Sequence, residues 1–402
     1  MKVVVVHTDF RLYWPSRLAA LDKFLRQQGH ELHVVELAGK GSNYSFAGNP
    51  ETESSIPWQI LFPQESIEKI SRKRAFSAIA HTLDRIQPDV VMAGAIAFYS
   101  GASAVAWTTQ HRKPVIIFDD ARLADTPRSF LTDYIKRLIY RQVDAIFCPA
   151  PSHSATFLHF GFAPDQIFFG VNAVDNNFFC SNNYQWKESD IQHSDTKDCL
   201  ISISRQIPIK NLYRTINAFI SYKEKNIESS LRLILIGGGP EHEILKKIAS
   251  ENPKAEIYFK PFLSQVELLT FFRKAKALIL PSLAETWGLV VNEAMAAGLP
   301  VLVSRQCGCA ETLVHEGENG WTFDPLDLQD MERVIGAIDL ASEQEIERMG
   351  QCSKEIIKNW GLERFCKGAW EAITHVVNHQ KQKKGYLSKL AVHFWKGRYR
   401  PT

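Results

Sequence analysis

The chain has no long apolar run. Its start, MKVVVVHTDF, holds only four consecutive valines before His7 and Asp9, too short for the core of a signal peptide or for a membrane span. It reads as a buried first strand, and the protein as cytoplasmic. A disulfide framework is also missing: there are seven cysteines, an odd number in 402 residues, and Cys307-Gly-Cys309 lacks a second ligand pair at metal spacing. They read as small buried thiols. Acid is absent from one region. From Ala372 onward there are seven Lys or Arg and no Asp or Glu, so the net charge of +3 belongs to the tail, and residues 1–371 hold 40 basic against 44 acidic side chains. No nucleic-acid partner is expected from so local an excess.

What is present describes an ordinary globular protein. Apolar residues at 45% and charged residues at 23% exclude a disordered chain, and 402 residues exceed what one core usually organises, so two domains are expected. In the first half, KVVVVH (2–7), ELHVVEL (31–37), DVVMAG (89–94), PVIIFD (114–119) and DAIFCPA (144–150) read as strands, with helices from about Ser16 to Gln28 and from about Glu65 to Gln87. Strands that are apolar throughout, separated by amphipathic helices, imply a parallel sheet covered on both faces. Residues 180–198 are polar and aperiodic and read as a linker. The pattern then restarts with CLISIS (199–204), LRLILIGGG (231–239), AEIYFK (255–260), AKALILPS (275–282), LPVLVS (299–304) and GWTFDP (320–325). The fold class is α/β: two Rossmann-like, doubly wound domains facing each other across a cleft, with ligands at the carboxyl ends of the strands.

The stretch PSLAETWGLVVNEAMAAGLPVLVS (281–304) carries two carboxylates eight residues apart. On one helix Glu285 and Glu293 would be separated by roughly 12 Å of rise and about 80° of rotation, too far to share a proton or a metal. The strand ends near Ser282 and the helical pattern begins after Gly288. Glu285 therefore falls in the strand-to-helix loop, and Glu293 more than a turn into the helix. Between them the amides of Gly288, Leu289 and Val290 form a helix N-terminus, an anion site. A carboxylate on either side of an anion site suits a ligand with hydroxyls at both ends and charge in the middle, the layout of a nucleotide sugar. The plainer alternatives are a helix-start acid for Glu285 and an exposed helix carboxylate for Glu293.

This stretch resembles the E-x7-E signature of retaining GT-B glycosyltransferases, specifically glycosyltransferase family 4 (group 1 glycosyltransferases). Other marks follow the family's order: NAVD (172–175), SRQIPIKN (204–211), IGGGPE (236–241) and CGCAETLVHEGENGWTFDP (307–325). The likeness spans roughly residues 170–375; the amino-terminal half is similar only in pattern. The resemblance implies that Arg205 and Lys210 grip the donor pyrophosphate. Their placement agrees, since Arg205 directly follows CLISIS and Lys210 would open the next helix. Cations there stabilise a departing diphosphate, one preorganised donor typically contributing about 3 kcal/mol; solvated surface cations are the alternative. The resemblance further implies that Glu285 binds the transferred sugar and Glu293 the ribose diol. Gly237 and Gly238 form a tight turn near the donor phosphates, and Phe262 belongs to the same donor site.

IGGGPEHE also invites a dinucleotide-binding reading, and Glu256 lies about twenty residues on, where a ribose-binding acid is expected. The third glycine of that motif is replaced by His242, which argues against a dehydrogenase. The amino-terminal domain departs from the family: HTDFRLYW (7–14) has no glycine, and Asp119 or Asp120 of IIFDDAR stands where a histidine is usual. Asp120 either binds a sugar or acceptor hydroxyl or pairs with Arg122. The adjacent aspartates do not make the Asp-x-Asp metal motif of the other glycosyltransferase fold, and no metal or other cofactor is expected.

The expected domains are 1–175 for the acceptor, completed by a crossover helix within about 362–402, and 199–361 for the donor. The expected activity is retaining, metal-independent transfer of a hexose from a nucleoside diphosphate sugar, uridine ahead of guanosine, to a glycan or lipid-linked acceptor, as in polysaccharide synthesis. A nucleotide-sugar 2-epimerase and a non-catalytic sugar-nucleotide-binding scaffold are the alternatives. Two stretches suit an anionic membrane surface: EKISRKRAFSAIAHTL (68–83), and the tail 381–400, where Leu387, Leu390, Ala391 and Phe394 share a helical face. The same face would otherwise be buried by a helix crossing back onto the first domain.

Overall fold

The computed structural model describes residues 1–40, 56–125, 129–180, 198–379, 385–395 and 397. They divide into two compact units, Met1–Ala173 with Leu362–Thr402, and Val174–Gly361.

The first unit is built on seven strands: β1 (Lys2–His7), β2 (Glu31–Lys40), β3 (Trp58–Ser66), β4 (Val90–Ala93), β5 (Val115–Phe118), β6 (Ala145–Cys148) and β7 (Ile167–Phe169). Their order is β3-β2-β1-β4-β5-β6-β7, and every pairing is parallel. The four valines show why such a sheet needs cover on both sides. Side chains alternate along a strand, so Val4 and Val6 enter one core with Leu83 and Trp107, while Val3 and Val5 enter the other with Leu21 and Phe365. The second core is completed from the far end of the chain. Helix Leu362–Asn378 lays Phe365, Cys366, Ala369, Ala372, Ile373 and Val376 against helix Trp14–Gln27 and strands β5 to β7.

The second unit has six parallel strands: β8 (Cys199–Ile203), β9 (Arg232–Ile236), β10 (Ile257–Lys260), β11 (Ala277–Leu280), β12 (Val301–Ser304) and β13 (Gly320–Phe323), in the order β10-β9-β8-β11-β12-β13. Strand order reverses direction at β8, which pairs with both β9 and β11. That point separates the outgoing loops and makes room for a ligand at the carboxyl ends.

Several expectations require correction. β3 was not expected, and the single helix expected from Glu65 to Gln87 is instead the last two residues of that strand, a short 3-10 turn (Ile67–Lys69) and helix Arg72–Ile86. β3 contains Pro63, which cannot donate to a ladder, and β3 is accordingly the edge strand of its sheet. The stretch 68–83 also turns its apolar side inward: Ile70, Ala75, Ile79 and Leu83 are buried in the core, and Arg74 pairs with Glu65 at 2.7 Å. Its apolar face is therefore already used. Lys210 ends the 3-10 turn Pro208–Lys210 instead of opening helix Leu212–Lys225. β7, three residues long, was not expected. Most of the expected linker, 181–197, lies outside the described residues. Among the described residues no helix is long and apolar enough to cross a membrane.

Phe219 of helix Leu212–Lys225 is fully enclosed with Leu200, Leu233 and Phe323. Phe219→Ala is expected to destabilise the protein by about 3–5 kcal/mol, through lost transfer energy and the cavity left behind, measured by urea unfolding.

Candidate active site

The candidate site of the second unit is assembled from the loops leaving β8, β9, β10 and β11. After β8 the chain runs through Ser204 and Arg205 into the Pro208–Lys210 turn and reaches Asn211, which adopts φ +58°. Asn211 is buried, and its side-chain Nδ2 donates to Pro325 O at 2.7 Å and to Pro281 O at 3.2 Å. One amide thereby joins the loops that follow β8, β11 and β13. Leu283 N donates to Ile209 O at 2.8 Å and adds a second tie between the first two. Asparagine suits this position because it tolerates the left-handed conformation while offering two donors.

These ties bring Lys210 Nζ onto Glu285 Oε2 in a direct ion pair of two largely enclosed side chains. Glu285 is itself fixed at the backbone, where its carbonyl accepts from Gly308 N at 2.9 Å, and Trp287 O accepts from Cys309 N at 3.1 Å. Cys307 and Cys309 are thus buried thiols of a loop that supports the site. Next, Gly288 takes φ +104° and caps helix Leu289–Ala297; a Cβ there would come within 2.7 Å of Leu280 Cδ2. The first amides of this helix, those of Leu289 and Val290, lack intrahelical acceptors by construction. Glu293, one turn further, is only 2% exposed, so it is not the solvated helix carboxylate of the plainer alternative. Gln265 Nε2 stands 3.5 Å from its Oε1.

The glycine turn after β9 is fitted closely. A Cβ on Gly237 would lie 2.0 Å from Ser204 O, and one on Gly239 2.5 Å from Gln206 O. Only a bare backbone passes here, at φ +136° and +154°. Gln206 is fully buried and holds the turn: its N donates to Gly238 O (2.8 Å), its Nε2 to Gly237 O (3.2 Å), and its Oε1 lies 2.6 Å from His242 Nδ1. His242, which breaks the dinucleotide motif, is therefore a support of the turn. Phe262 stands beside Gly237 and Gly238, its ring 3.5 Å from where their side chains would begin. Arg205 is half-buried two residues past β8, where its carbonyl accepts from Ile207 N at 3.1 Å. Asn211, Gln206, His242 and Gln265 are contributors the motif reading missed. For Gln206 and Asn211 the polar residues inside SRQIPIKN were the available signal.

In the first unit the ends of β1, β4 and β5 meet around His7. Its ring packs among Phe10, Trp14, Phe98 and Phe118 at centroid distances of 5.2 to 6.4 Å. Burial, with the nearby Arg17 charge, lowers the His7 pKa to about 4. The turn after β1, which has no glycine, is made by Leu12 at φ +55°, a conformation few side-chain-bearing residues adopt. Arg17 is buried, donates from Nε to Ala173 O at 2.7 Å, and stands over the Tyr13 and Trp14 rings. Asp120 is close enough for its charge to support the Arg17 cation. Arg122 Nε lies 3.8 Å from Asp125 Oδ1. Asp119 accepts from Ala121 N at 2.9 Å and Tyr140 Oη at 3.1 Å. Its pKa is raised to about 6 by burial first and by the Asp120 charge second.

Two doubly wound parallel-sheet units in one chain define a class, and solved structures supply its name. HepE from Anabaena in complex with UDP aligns with a TM-score of 0.70 over 93% of this chain and 100% of that one, at 16% identity. Sucrose-phosphate synthase from Thermosynechococcus elongatus aligns with a TM-score of 0.72 over 94% and 99%, at 14% identity. At such identities the likeness is one of fold, and the fold is GT-B. Sequence supplies the family: the model for glycosyl transferases group 1 matches residues 185–358, and that for Glycosyltransferase Family 4 matches residues 16–178. The chain belongs to the group 1, family 4-like glycosyltransferases.

Among curated relatives, the sulfoquinovosyl transferase SQD2 of Arabidopsis thaliana is 25% identical over 400 residues, covering 95% of this chain and 72% of that protein. An MMP alpha-(1->4)-mannosyltransferase of Mycolicibacterium hassiacum is 24% identical over 219 residues, covering 54% of this chain and 50% of that protein. The match thus takes in only half of the second relative's length.

Two predictions follow from these contacts. Asn211→Gly keeps the backbone conformation and removes the two bonds from Nδ2 and the one that Oδ1 accepts from Arg214, so urea unfolding should show a loss of about 1–3 kcal/mol; Asn211→Ala, strained at positive φ, should lose about 1 kcal/mol more. Asp119→Asn should change the pH dependence of stability. With its folded pKa near 6, Asp119 keeps a proton between about pH 4 and 6 that the unfolded chain has lost, so its contribution falls as pH rises through that window. The variant should therefore gain on the wild type from pH 4 to 6, with a constant difference above. His7 acts with the opposite sign in both proteins and cancels in the comparison.

Proposed function

We propose that the protein is a retaining hexosyltransferase that moves a sugar from a nucleoside diphosphate donor, UDP ahead of GDP, to a glycan or lipid-linked acceptor without a metal. The observation that carries this reading is the Lys210–Glu285 pair at the point where strand order reverses, beside the glycine turn and the Leu289–Ala297 helix start. In it Lys210 and Arg205 meet the diphosphate, and the amides of Gly288, Leu289 and Val290 add a partial positive charge. Gly237 and Gly238 let the backbone approach the phosphates, and Phe262 flanks them for the base. Glu285 binds hydroxyls of the sugar while holding Lys210, and Glu293 takes the ribose diol. Asp120 serves the sugar or the acceptor from the first unit.

Retention follows from attack on the face the leaving group departs. The bond from the anomeric carbon to the diphosphate oxygen breaks, the acceptor oxygen bonds to that carbon, and the acceptor proton passes to the departing diphosphate. The cations lower the barrier by stabilising the charge that develops on that oxygen. Support for the uridine nucleotide comes from the HepE structure, which was solved with UDP.

Thermal shift with UDP and GDP tests the donor: a ligand at a hundred times its dissociation constant adds about 2.7 kcal/mol of stability, and UDP should give the larger shift. Glu285→Gln should lower transfer by about a hundredfold while the UDP shift persists. Full activity in that variant would remove Glu285 from the site, and isomerised donor in a reaction without acceptor would favour the 2-epimerase.

A further inference from the structure

In the first unit, helices Phe130–Tyr140 and Tyr386–Phe394 pack against each other. Their inner sides are anchored: Val392 is buried, Ile135, Ala391 and Trp395 pack on the same core, and Trp395 Nε1 donates to Ile96 O at 2.7 Å. Their outer sides are not covered by this chain's described residues. Phe130, Leu131, Tyr134, Tyr386, Leu387 and Phe394 are 48% to 89% exposed. Among the described residues of this unit, the other comparably exposed large apolar side chain is Leu158. It lies on helix Ser154–His159, which adjoins the pair through His159 Nε2, 3.3 Å from Asp133 Oδ2. All the strongly exposed large apolar groups described in the unit thus gather in one place. Scattered exposed apolar residues need no explanation, but a concentration of aromatic and leucine side chains does.

Charge selects the occupant. On and directly after these two helices stand Lys136, Arg137, Arg141 and Lys389, against the single acid Asp133, which faces His159. The sequence around the second helix adds cations and no acid. A second copy of the chain, joined through the same face about a twofold axis, would set this positive excess against itself. An anionic bilayer complements it, and phenylalanine, tyrosine and leucine are the side chains that enter the headgroup boundary. We infer that the paired helices Phe130–Tyr140 and Tyr386–Phe394 form a docking face for an anionic phospholipid membrane, with Phe130, Leu131 and Phe394 inserted and the exposed Arg137, Arg141 and Lys389 on the headgroups. This arrangement differs from that expected of the tail alone: helix Tyr386–Phe394 directs Ser388 and Val392 inward, splits its apolar residues between core and surface, and needs the internal helix to complete the patch.

Lipid binding by this face does not depend on what the second unit catalyses, so the test reads binding alone. The full-length protein is sedimented with vesicles of phosphatidylcholine and with vesicles containing phosphatidylglycerol, at low and high salt, beside the triple variant Phe130→Ser, Leu131→Ser, Phe394→Ser and the control Ile227→Ser in the second unit. Expected are binding to the anionic vesicles, its weakening by salt, a loss of at least about tenfold in the triple variant, and no change in the control. Thermal unfolding should be unaltered in the triple variant, since its three side chains are mostly solvated. Failure of the wild type to bind anionic vesicles would overturn the proposal, as would equal binding by the triple variant. A wild-type dimer that the triple variant converts to monomer, without lipid binding, would also overturn it and assign the face to a second copy.

Discussion

One amide side chain sets the carboxyl end of the second unit's sheet. Parallel strands leave their connections at opposite ends of the sheet, and loops emerging at the carboxyl end have no ladder bonds to fix them to one another. Asn211, held at positive φ, bonds to carbonyls of the loops after β11 and β13 while its own segment follows β8. Once those three loops are joined, the 3-10 turn before Asn211 can bring Lys210 only to the segment carrying Glu285. The charged pair is a consequence of the neutral bonds. Desolvating an ammonium and a carboxylate is unfavourable unless their geometry is fixed, and the uncharged amide supplies that fixing.

The same economy appears at the glycine turn. Gln206 uses its backbone N and both side-chain polar atoms to hold Gly237, Gly238 and His242. A turn made of bare backbone needs such supports because a peptide plane has no side chain of its own to lock it. In the first unit the corresponding region is organised by aromatic packing around His7, with buried arginines at its margin. Its titrations near pH 4 and 6 arise from burial, and in opposite directions for a base and an acid.

Much of this could be read from the residues. A strand buried on both faces leaves a solid apolar run, so KVVVVH, AKALILPS and LPVLVS announce parallel strands without ambiguity, and Gly288 marks where the helix after β11 starts. The signal failed where tertiary context overrules local pattern. β3 is an edge strand with a proline in it, and its alternation is too weak to separate it from the helix that follows. β7 has only three residues. The helix face at 72–86 has the composition of a lipid-binding surface, and nothing local distinguishes that from a face destined for the core. Motif spacing singled out Glu285, Glu293, Arg205 and Lys210, of which the structure pairs Lys210 with Glu285, but not the neutral residues around them, because an asparagine or glutamine acquires its meaning from carbonyls more than 30 residues away in sequence.

The closing helix of the first unit, Leu362–Asn378, lies nearly two hundred residues beyond the segment it completes. During synthesis, strands β5 to β7 and helix Trp14–Gln27 leave the ribosome with the apolar groove for Phe365, Ala369 and Ile373 still open, and the whole second unit is made before that groove can be filled. The nascent chain must therefore carry an uncovered hydrophobic surface for many seconds. A truncation just before residue 362 would make that transient state permanent, which marks this junction as the place where premature termination yields a chaperone client or an aggregate instead of a shortened enzyme.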